Sequence, residues 1–116
     1  MLEVGCQHGP HGAGDPGLSF NEARSHFGAW CIVSSPLILS HDVNNASLVA
    51  SIWPIISNTE AIAVNQAWAG FSGSVFSQAN EVVDLGTTKV GAWQIWNKAV
   101  SEKTTVRGGG GGGGEG

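Results

Sequence analysis

The sequence predicts an α/β protein whose helices and buried strands give way to antiparallel β-structure towards the C-terminus. Over the first two-thirds of the chain, a glycine-rich loop, a helix signal, a short apolar run and further helix signals follow one another. After residue 70, short β-prone segments alternate with glycines. Helices that alternate with buried strands are typical of parallel α/β folds, whereas closely spaced short strands are typical of antiparallel sheets.

The first helix is predicted from Phe20 to Ser34. Ser19 and Glu22 have the spacing of a capping box, in which the serine hydroxyl accepts from the Glu22 N–H and the glutamate accepts from the Ser19 N–H. Pro36 ends the helical pattern because the residue before a proline is disfavoured in the helical region. The apolar residues on one face of this helix are Phe20, Ala23, Phe27, Trp30 and Cys31.

The next segment, Leu37–Ser40, is predicted to be a strand that is buried on both faces. Its first three residues are apolar without interruption, the pattern of strands in parallel sheets. The segment delivers Ser40, His41 and Asp42 at its carboxyl end, which is where α/β folds build their sites. His41 and Asp42 are therefore candidate site residues.

Two further helices are predicted. Asn45-Ala46-Ser47 begins the first, and Pro54 within it should kink or split it. Asn58-Thr59-Glu60 has the pattern of an N-cap followed by an acidic residue in the first turn, and it opens a short helix through residues 61–64.

The character of the sequence changes between Gln66 and Gly73, where we place a domain boundary. Residues 1–69 form the α/β part, and residues 70–107 form the beginning of an antiparallel β domain. Strands are predicted at residues 74–76, 81–85, 89–96 and 104–106. Residues 108–116 are a glycine tail that we expect to be disordered, because ordering it loses too much backbone entropy.

Composition excludes some classes of partner. The net charge is −4 and the five basic residues are scattered, so the chain offers no basic face for nucleic acid. Its apolar runs are too short for a membrane span. Charged residues make up only 12% of the chain, against about 25% in typical globular proteins. This indicates a surface that is normally partly covered, although the oligomeric state is unknown. Free thiols are favoured over a disulfide for Cys6 and Cys31.

Three segments, MLEVG, GLSFNEARSHFGAWCIVSSPLILSHDV and ISNTEAIAVNQAWAG, occur in this order over about Met1 to Gly73. Together they resemble the C-terminal part of the catalytic barrel of family 27 glycoside hydrolases, the α-galactosidases or melibiases. The resemblance implies a (β/α)8 TIM barrel followed by an antiparallel β-sandwich domain. Residues 1–69 would then be the C-terminal part of the barrel, and residues 70–107 the beginning of the sandwich.

The resemblance implies a parent enzyme that removes terminal α-linked galactose, with retention, from oligosaccharides or glycoconjugates. Retaining hydrolysis uses two carboxylates about 5–5.5 Å apart. In the family both lie on earlier barrel strands and neither has a counterpart here, so no catalytic residue is assigned in this sequence. The alternatives are a truncated non-catalytic remnant and a sugar-binding fragment that uses Trp93 or Trp96. No cofactor is implied. A full-length parent that resembles its family would be secreted, vacuolar or lysosomal.

The resemblance also places individual residues. Met1 matches the pocket methionine at the end of strand seven and would form an apolar wall for the sugar; the alternative is an initiator methionine at a chain end. Asp42 matches a family position that supports the site by hydrogen bonding, and His41 would lie at its rim. Asn65, with Gln66, matches the closing segment of the barrel and implies a structural role.

Two local patterns complete the candidates. Asn45-Ala46-Ser47 is an N-glycosylation acceptor pattern, which matters if the parent protein is secreted. Cys6, His8 and His11 are close enough in sequence for a metal site. The family needs no metal, however, and nothing in this loop orients the imidazoles. We therefore assign no metal ligand and expect the loop to form a rim of the active site.

Overall fold

A computed structural model of the chain describes residues 1–9 and 12–101. Three helices come first: α1 (Phe20–Ile32), α2 (Ala46–Ile56) and α3 (Thr59–Gln66). Four short strands follow: β1 (Ser74–Gln78), β2 (Val82–Asp84), β3 (Lys89–Gly91) and β4 (Gln94–Asn97). The structure confirms a mixed helix and strand chain. The predicted strand at residues 104–106, the glycine tail and His11 lie outside the described residues.

Helix α1 begins at the predicted capping box. The Ser19 N–H donates to the Glu22 carboxylate at 2.8 Å, and the Glu22 N–H donates to the Ser19 hydroxyl at 3.4 Å. The helix ends at Ile32, two residues before the predicted end at Ser34. Ser34 has a φ of +57°, in the left-handed region that cannot continue a right-handed helix.

Helices α2 and α3 begin at the two predicted asparagines. The Asn45 side chain accepts from the Leu48 N–H at 3.0 Å, and the Asn58 side chain accepts from the Ala61 N–H at 3.0 Å. Pro54 does not split α2, which continues to Ile56. The chain instead bends by 61° between the two helices. Within the described ranges no single helix is long and apolar enough to cross a membrane, although the bent α2–α3 pair meets the criteria of length and composition together.

The hydrophobic core lies between the segment Leu2–Val4, helix α1 and helix α2. Ala23, Phe27 and Cys31 of the predicted apolar face are buried, whereas Phe20 at its start is 51% exposed. The buried core residues are Leu2, Val4, Ala23, Phe27, Cys31, Ile52 and Ile55.

Leu2 and Leu39 form a parallel β-bridge. The Leu2 N–H donates to the carbonyl oxygen of Ile38 at 3.0 Å. Because α1 lies between these two residues along the chain, this pairing has the order of a β–α–β connection.

The prediction that Leu37–Ser40 is a strand buried on both faces is wrong for this structure. Only Leu39 takes part in a bridge, and Ile38 and Leu39 are 55% and 43% exposed. A strand is buried on both faces only where other layers cover both. Among the described residues of this segment, only Leu37 packs against the core cluster.

The β region forms two small antiparallel sheets, β1 with β4 and β2 with β3. The Ala79 N–H donates to the Trp93 carbonyl and the Ala92 N–H donates to the Glu81 carbonyl, each at 2.9 Å. These bonds join the two ladders into one long hairpin. The hairpin is attached to the helical part where the Gly73 N–H donates to the Ile32 carbonyl at 2.8 Å.

Candidate functional site

A cleft of about 480 Å³ lies at the carboxyl ends of the paired Leu2 and Leu39 segments. A second cleft of about 280 Å³ adjoins it on the side of the glycine-rich loop and shares Glu3, Cys6, His8 and Gly9 with it. The residues that line the larger cleft are Met1, Glu3, Cys6, His8, Gly9 and Ser40.

The loop is held on the strand ends by Ser40. The Ser40 hydroxyl donates to the carbonyl oxygen of Leu2, and the Cys6 sulfur lies 3.4 Å from the Ser40 hydroxyl. Cys6 and Cys31 are free thiols, as the sequence favoured. The contacts fix the start of the loop beside the cleft.

The loop has a defined shape in its described part. His8 and Pro16 form an antiparallel bridge, and the Gly9 N–H donates to the Asp15 carbonyl at 2.8 Å. A Cβ atom at Gly17 would lie 1.9 Å from the Cys6 carbonyl oxygen, so only glycine permits this approach. These contacts close the base of the loop beside the larger cleft.

Met1 is 75% exposed and lines the larger cleft. Its thioether chain is a flexible apolar group, suited to the face of a ligand.

His41 and Asp42 do not line either cleft. His41 is half-buried beside the Gly5 turn, where a Cβ atom on Gly5 would lie 3.1 Å from the His41 Cβ. Its Nδ1 is buried, with no hydrogen-bond partner in the described part of the chain. Asp42 is exposed, and its carboxylate accepts from the Asn44 N–H at 2.9 Å. Asp42 therefore shapes the turn that leads into α2.

The hypothesis of a metal site in the loop is tested only in part. Cys6 and His8 both line the larger cleft, but His11 lies outside the described residues. Within residues 1–9 and 12–101, no group of three His, Cys, Asp or Glu side chains is arranged to hold a metal ion.

Comparison with known proteins identifies the family. The family model described as α-galactosidase A (melibiase) matches residues 11–67. The α-galactosidase mel1 of Schizosaccharomyces pombe is 45% identical over 53 residues, which are 46% of this chain and 12% of that protein. The α-galactosidase of Cyamopsis tetragonoloba is 32% identical over 108 residues, and the match covers 83% of this chain and 26% of that protein. This chain belongs to the α-galactosidase (melibiase) family.

The α-galactosidase of Coffea arabica matches most of the chain as well, at 32% identity over 93% of this chain and 24% of that protein. The chain thus spans about a quarter or less of the length of these curated α-galactosidases. No solved structure gives a significant match.

Asn65 has the structural role that the α-galactosidase resemblance implied. It is 6% exposed, and its side-chain amide donates to the Ser35 carbonyl at 2.8 Å and to the Trp30 carbonyl at 3.2 Å. The Lys98 ammonium, at the end of β4, donates to the Asn65 carbonyl at 3.3 Å. Asn65 therefore links α3, the end of α1 and the hairpin.

Sequence reasoning missed His26. Its Nε2 accepts from the Glu3 N–H at 3.1 Å, and its ring stacks on Trp30 with centroids 4.1 Å apart. The spacing of His26 and Trp30, one helical turn apart, is a signal for the stacking. No sequence signal identifies the backbone partner, which lies 23 residues away.

Among the described residues, two titratable groups have shifted pKa values. Hydrogen bonds from the Ser19 hydroxyl and then from the Ser19 N–H lower the pKa of the Glu22 carboxyl. Burial raises the pKa of the Cys31 thiol, and the positive charge of Lys98 opposes that shift. Both groups lie on α1, so neither marks an acid or base inside the larger cleft.

Proposed function

We propose that the protein containing this sequence hydrolyses terminal α-linked galactose with retention of configuration. The observation that carries the proposal is the match to the α-galactosidase family over residues 11–67, and the parallel Leu2–Leu39 pairing across α1, with a cleft at its carboxyl end, supports it. In (β/α)8 barrels the active site lies at this end of the strands. In this proposal residues 1–69 form the C-terminal part of such a barrel, and residues 70–107 begin a β-sandwich.

Within that enzyme this chain supplies binding surface and support rather than the reacting carboxylates. Met1 forms an apolar wall for the sugar, Asp42 holds the turn after the second strand segment, and His41 packs beneath the loop. The nucleophile and the acid/base belong to barrel strands that precede Met1. A galactoside oligosaccharide or glycoconjugate is the substrate, and no cofactor takes part.

The origin of Met1 is tested by the transcript upstream of its codon. We expect an open reading frame that encodes an Asp-Pro-Asp directly before Met1 and two catalytic aspartates further upstream. An in-frame stop codon with no splice acceptor would contradict the proposal for this gene product.

The apolar wall that Met1 forms for the sugar is tested by Met1→Ala in the longer enzyme that the upstream reading frame would encode. Burial of a methionine side chain contributes about 1.5–3 kcal/mol, so we expect kcat/KM for an aryl α-galactoside to fall by about ten- to a hundredfold. Met1→Leu should retain most of the activity because it keeps an apolar side chain of similar size. Leu85→Ala removes an apolar side chain that is 62% exposed on the hairpin, and it should leave kcat/KM unchanged. Equal effects of Met1→Ala and Leu85→Ala would contradict the wall.

A second candidate function is sugar binding without catalysis. Trp93 and Trp96 on the hairpin are 53% and 41% exposed, and exposed indole rings can stack on sugar faces. Both functions predict that the purified 116-residue chain does not hydrolyse an aryl α-galactoside, so the measurement that tests the second function is sugar binding. Saturable quenching of its Trp fluorescence by galactose, lost in Trp93→Ala or Trp96→Ala, would support binding. Turnover by this chain would contradict the placement of the catalytic carboxylates.

A further inference from the structure

His26 contacts the backbone that carries the candidate cleft. The N–H of Glu3 donates to Nε2 of His26 at 3.1 Å. A ring nitrogen that accepts a hydrogen bond carries no proton, so the imidazole in this geometry is neutral and its proton is on Nδ1.

This bond holds one side of the short segment Leu2–Val4, whose other side is held by the segment that contains Ile38 and Leu39. The Leu2 N–H donates to the Ile38 carbonyl at 3.0 Å, and the following N–H, that of Glu3, is bound by α1 through His26. Leu2 and Val4 on either side of Glu3 are fully buried. Glu3 itself lines both clefts, so the His26 bond contacts the backbone of the cleft directly.

We propose that His26 is a positioning residue, which in its neutral Nδ1–H form fixes the Glu3 backbone at the cleft and releases it on protonation. An imidazolium has no acceptor nitrogen and would direct an N–H at the Glu3 N–H. The inference rests on the proposed function only for its effect on catalysis.

The groups around the His26 ring allow it to be protonated while it stays in the same position. Trp30 stacks on the ring with an interplanar angle of 38°, and an aromatic face also accommodates a cation. The titratable side chains on the elements around it are Glu3, on the bound segment, and Glu22, Arg24 and Cys31 on α1 itself. Acidification should therefore break the Glu3 bond while His26 remains stacked on Trp30.

NMR of the 116-residue chain tests the contact directly. Near neutral pH, the imidazole nitrogen shifts of His26 should show a protonated Nδ1 and an unprotonated Nε2. As the ring becomes charged at lower pH, amide exchange of Glu3, corrected for its intrinsic pH dependence, should accelerate about tenfold, as expected for loss of one hydrogen bond. The proposal would be overturned by a protonated Nε2 at neutral pH. It would also be overturned if the exchange rate of the Glu3 amide did not change when His26 becomes charged.

Two variants separate positioning from simple packing. His26→Gln keeps an acceptor oxygen that does not titrate, so Glu3 should stay protected at both pH values. His26→Leu keeps an apolar side chain but no acceptor, so Glu3 should exchange about tenfold faster at both. His8→Gln removes a different imidazole and should leave the pH dependence intact. If His26→Leu does not fold, His26→Gln and the wild-type titration still test whether His26 binds the Glu3 N–H in its neutral form only.

Activity measurements keep this inference distinct from the proposed function. In a longer, active protein, His26→Gln should flatten the acidic side of the kcat/KM profile. If such a protein proves inactive on α-galactosides while the NMR results are as expected, the proposed function fails and the His26 contact stands. If the protein is active but Nε2 is protonated, the contact fails and the function stands.

Discussion

The side-chain amide of Asn65 donates a hydrogen bond to the carbonyl oxygen of Ser35 at 2.8 Å, across 30 residues of sequence. The same amide also reaches the Trp30 carbonyl at 3.2 Å. One buried side chain of α3 thus satisfies two carbonyl groups at the point where α1 ends. A side chain with fewer than two donor hydrogens cannot make both bonds.

Asn65→Leu should loosen this junction. The change keeps the branched shape but leaves the Ser35 carbonyl without its donor, a loss that costs about 1–3 kcal/mol. We expect amide exchange to accelerate by about ten- to a hundredfold in residues 29–36 and 59–67, measured by hydrogen-exchange mass spectrometry. Asn21→Leu, at an exposed position on α1, is the matched control and should change neither region. Equal exchange in both variants would contradict the structural role of Asn65.

The capping box should make the stability of α1 depend on pH. The pKa of Glu22 in the folded chain is below its ordinary value of 4.5. Its stabilising contribution is therefore complete above about pH 4.5 and is lost as the pH falls through the lowered folded value. We expect helical ellipticity to decrease across this window. Ser19→Ala should weaken α1 by about 1 kcal/mol at neutral pH and reduce the pH dependence.

Glu22→Gln is the control for that prediction, because the amide still accepts from the Ser19 N–H but does not titrate. In this variant the contribution of α1 to the helical ellipticity should stay constant between pH 5 and pH 3. An unchanged acid transition in Glu22→Gln would assign the transition to another carboxyl group.

The two thiols should differ in reactivity. Cys31 is 2% exposed and burial raises its pKa above 9.0, whereas Cys6 lines the cleft. A disulfide reagent at pH 8 should modify Cys6 readily and Cys31 only when the chain opens, which slows it by about a hundredfold or more. Cys6→Ser should remove the fast phase, and denaturant should expose Cys31. Two equally fast thiols would contradict the burial.

The raised pKa of Cys31 also predicts an effect at alkaline pH. A thiol whose folded pKa is above its unfolded value stabilises the folded chain fully below about pH 9.0, and this contribution is lost as the pH rises through the folded value. Thermal unfolding should therefore occur at lower temperature above pH 9 in the wild type. Cys31→Ala, which lacks the titrating group, should show a smaller decrease.

Glycosylation at Asn45 can be separated from its role as the N-cap of α2. Its Oδ1 accepts from the Leu48 N–H, and no hydrogen bond from its Nδ2, the atom that would carry a glycan, is found in the described structure. Expression through a secretory pathway should give a product whose electrophoretic mobility increases on treatment with an endoglycosidase. Ser47→Ala should abolish the shift while the cap remains, and Ser51→Ala should preserve it. A wild-type product whose mobility does not change would contradict glycosylation at Asn45.

Local sequence signals predicted the helices because each is specified within a few residues. Ser19, Asn45 and Asn58 each accept from an N–H three residues later, so the cap and its partner lie in the same short segment. The predicted strand at Leu37–Ser40 failed for the opposite reason. Its burial depends on other layers and neighbouring strands, and an apolar run alone does not supply them.

The sequence by itself determined the caps of α1, α2 and α3, the presence of short antiparallel strands after residue 70 and, through its motifs, membership of the α-galactosidase family, whereas the single strand predicted at residues 89–96 is divided into β3 and β4. Only the tertiary structure decided that Leu2 pairs with Leu39 and that Ser40 and His26 hold the backbone of the cleft. It also decided that Asp42 shapes a turn and does not line the cleft. The contacts of Leu2, Ser40 and His26 join groups 23 to 38 residues apart. Hydrogen bonds to backbone atoms this far apart along the chain leave no pattern in side-chain spacing, so they become visible only when the chain is folded.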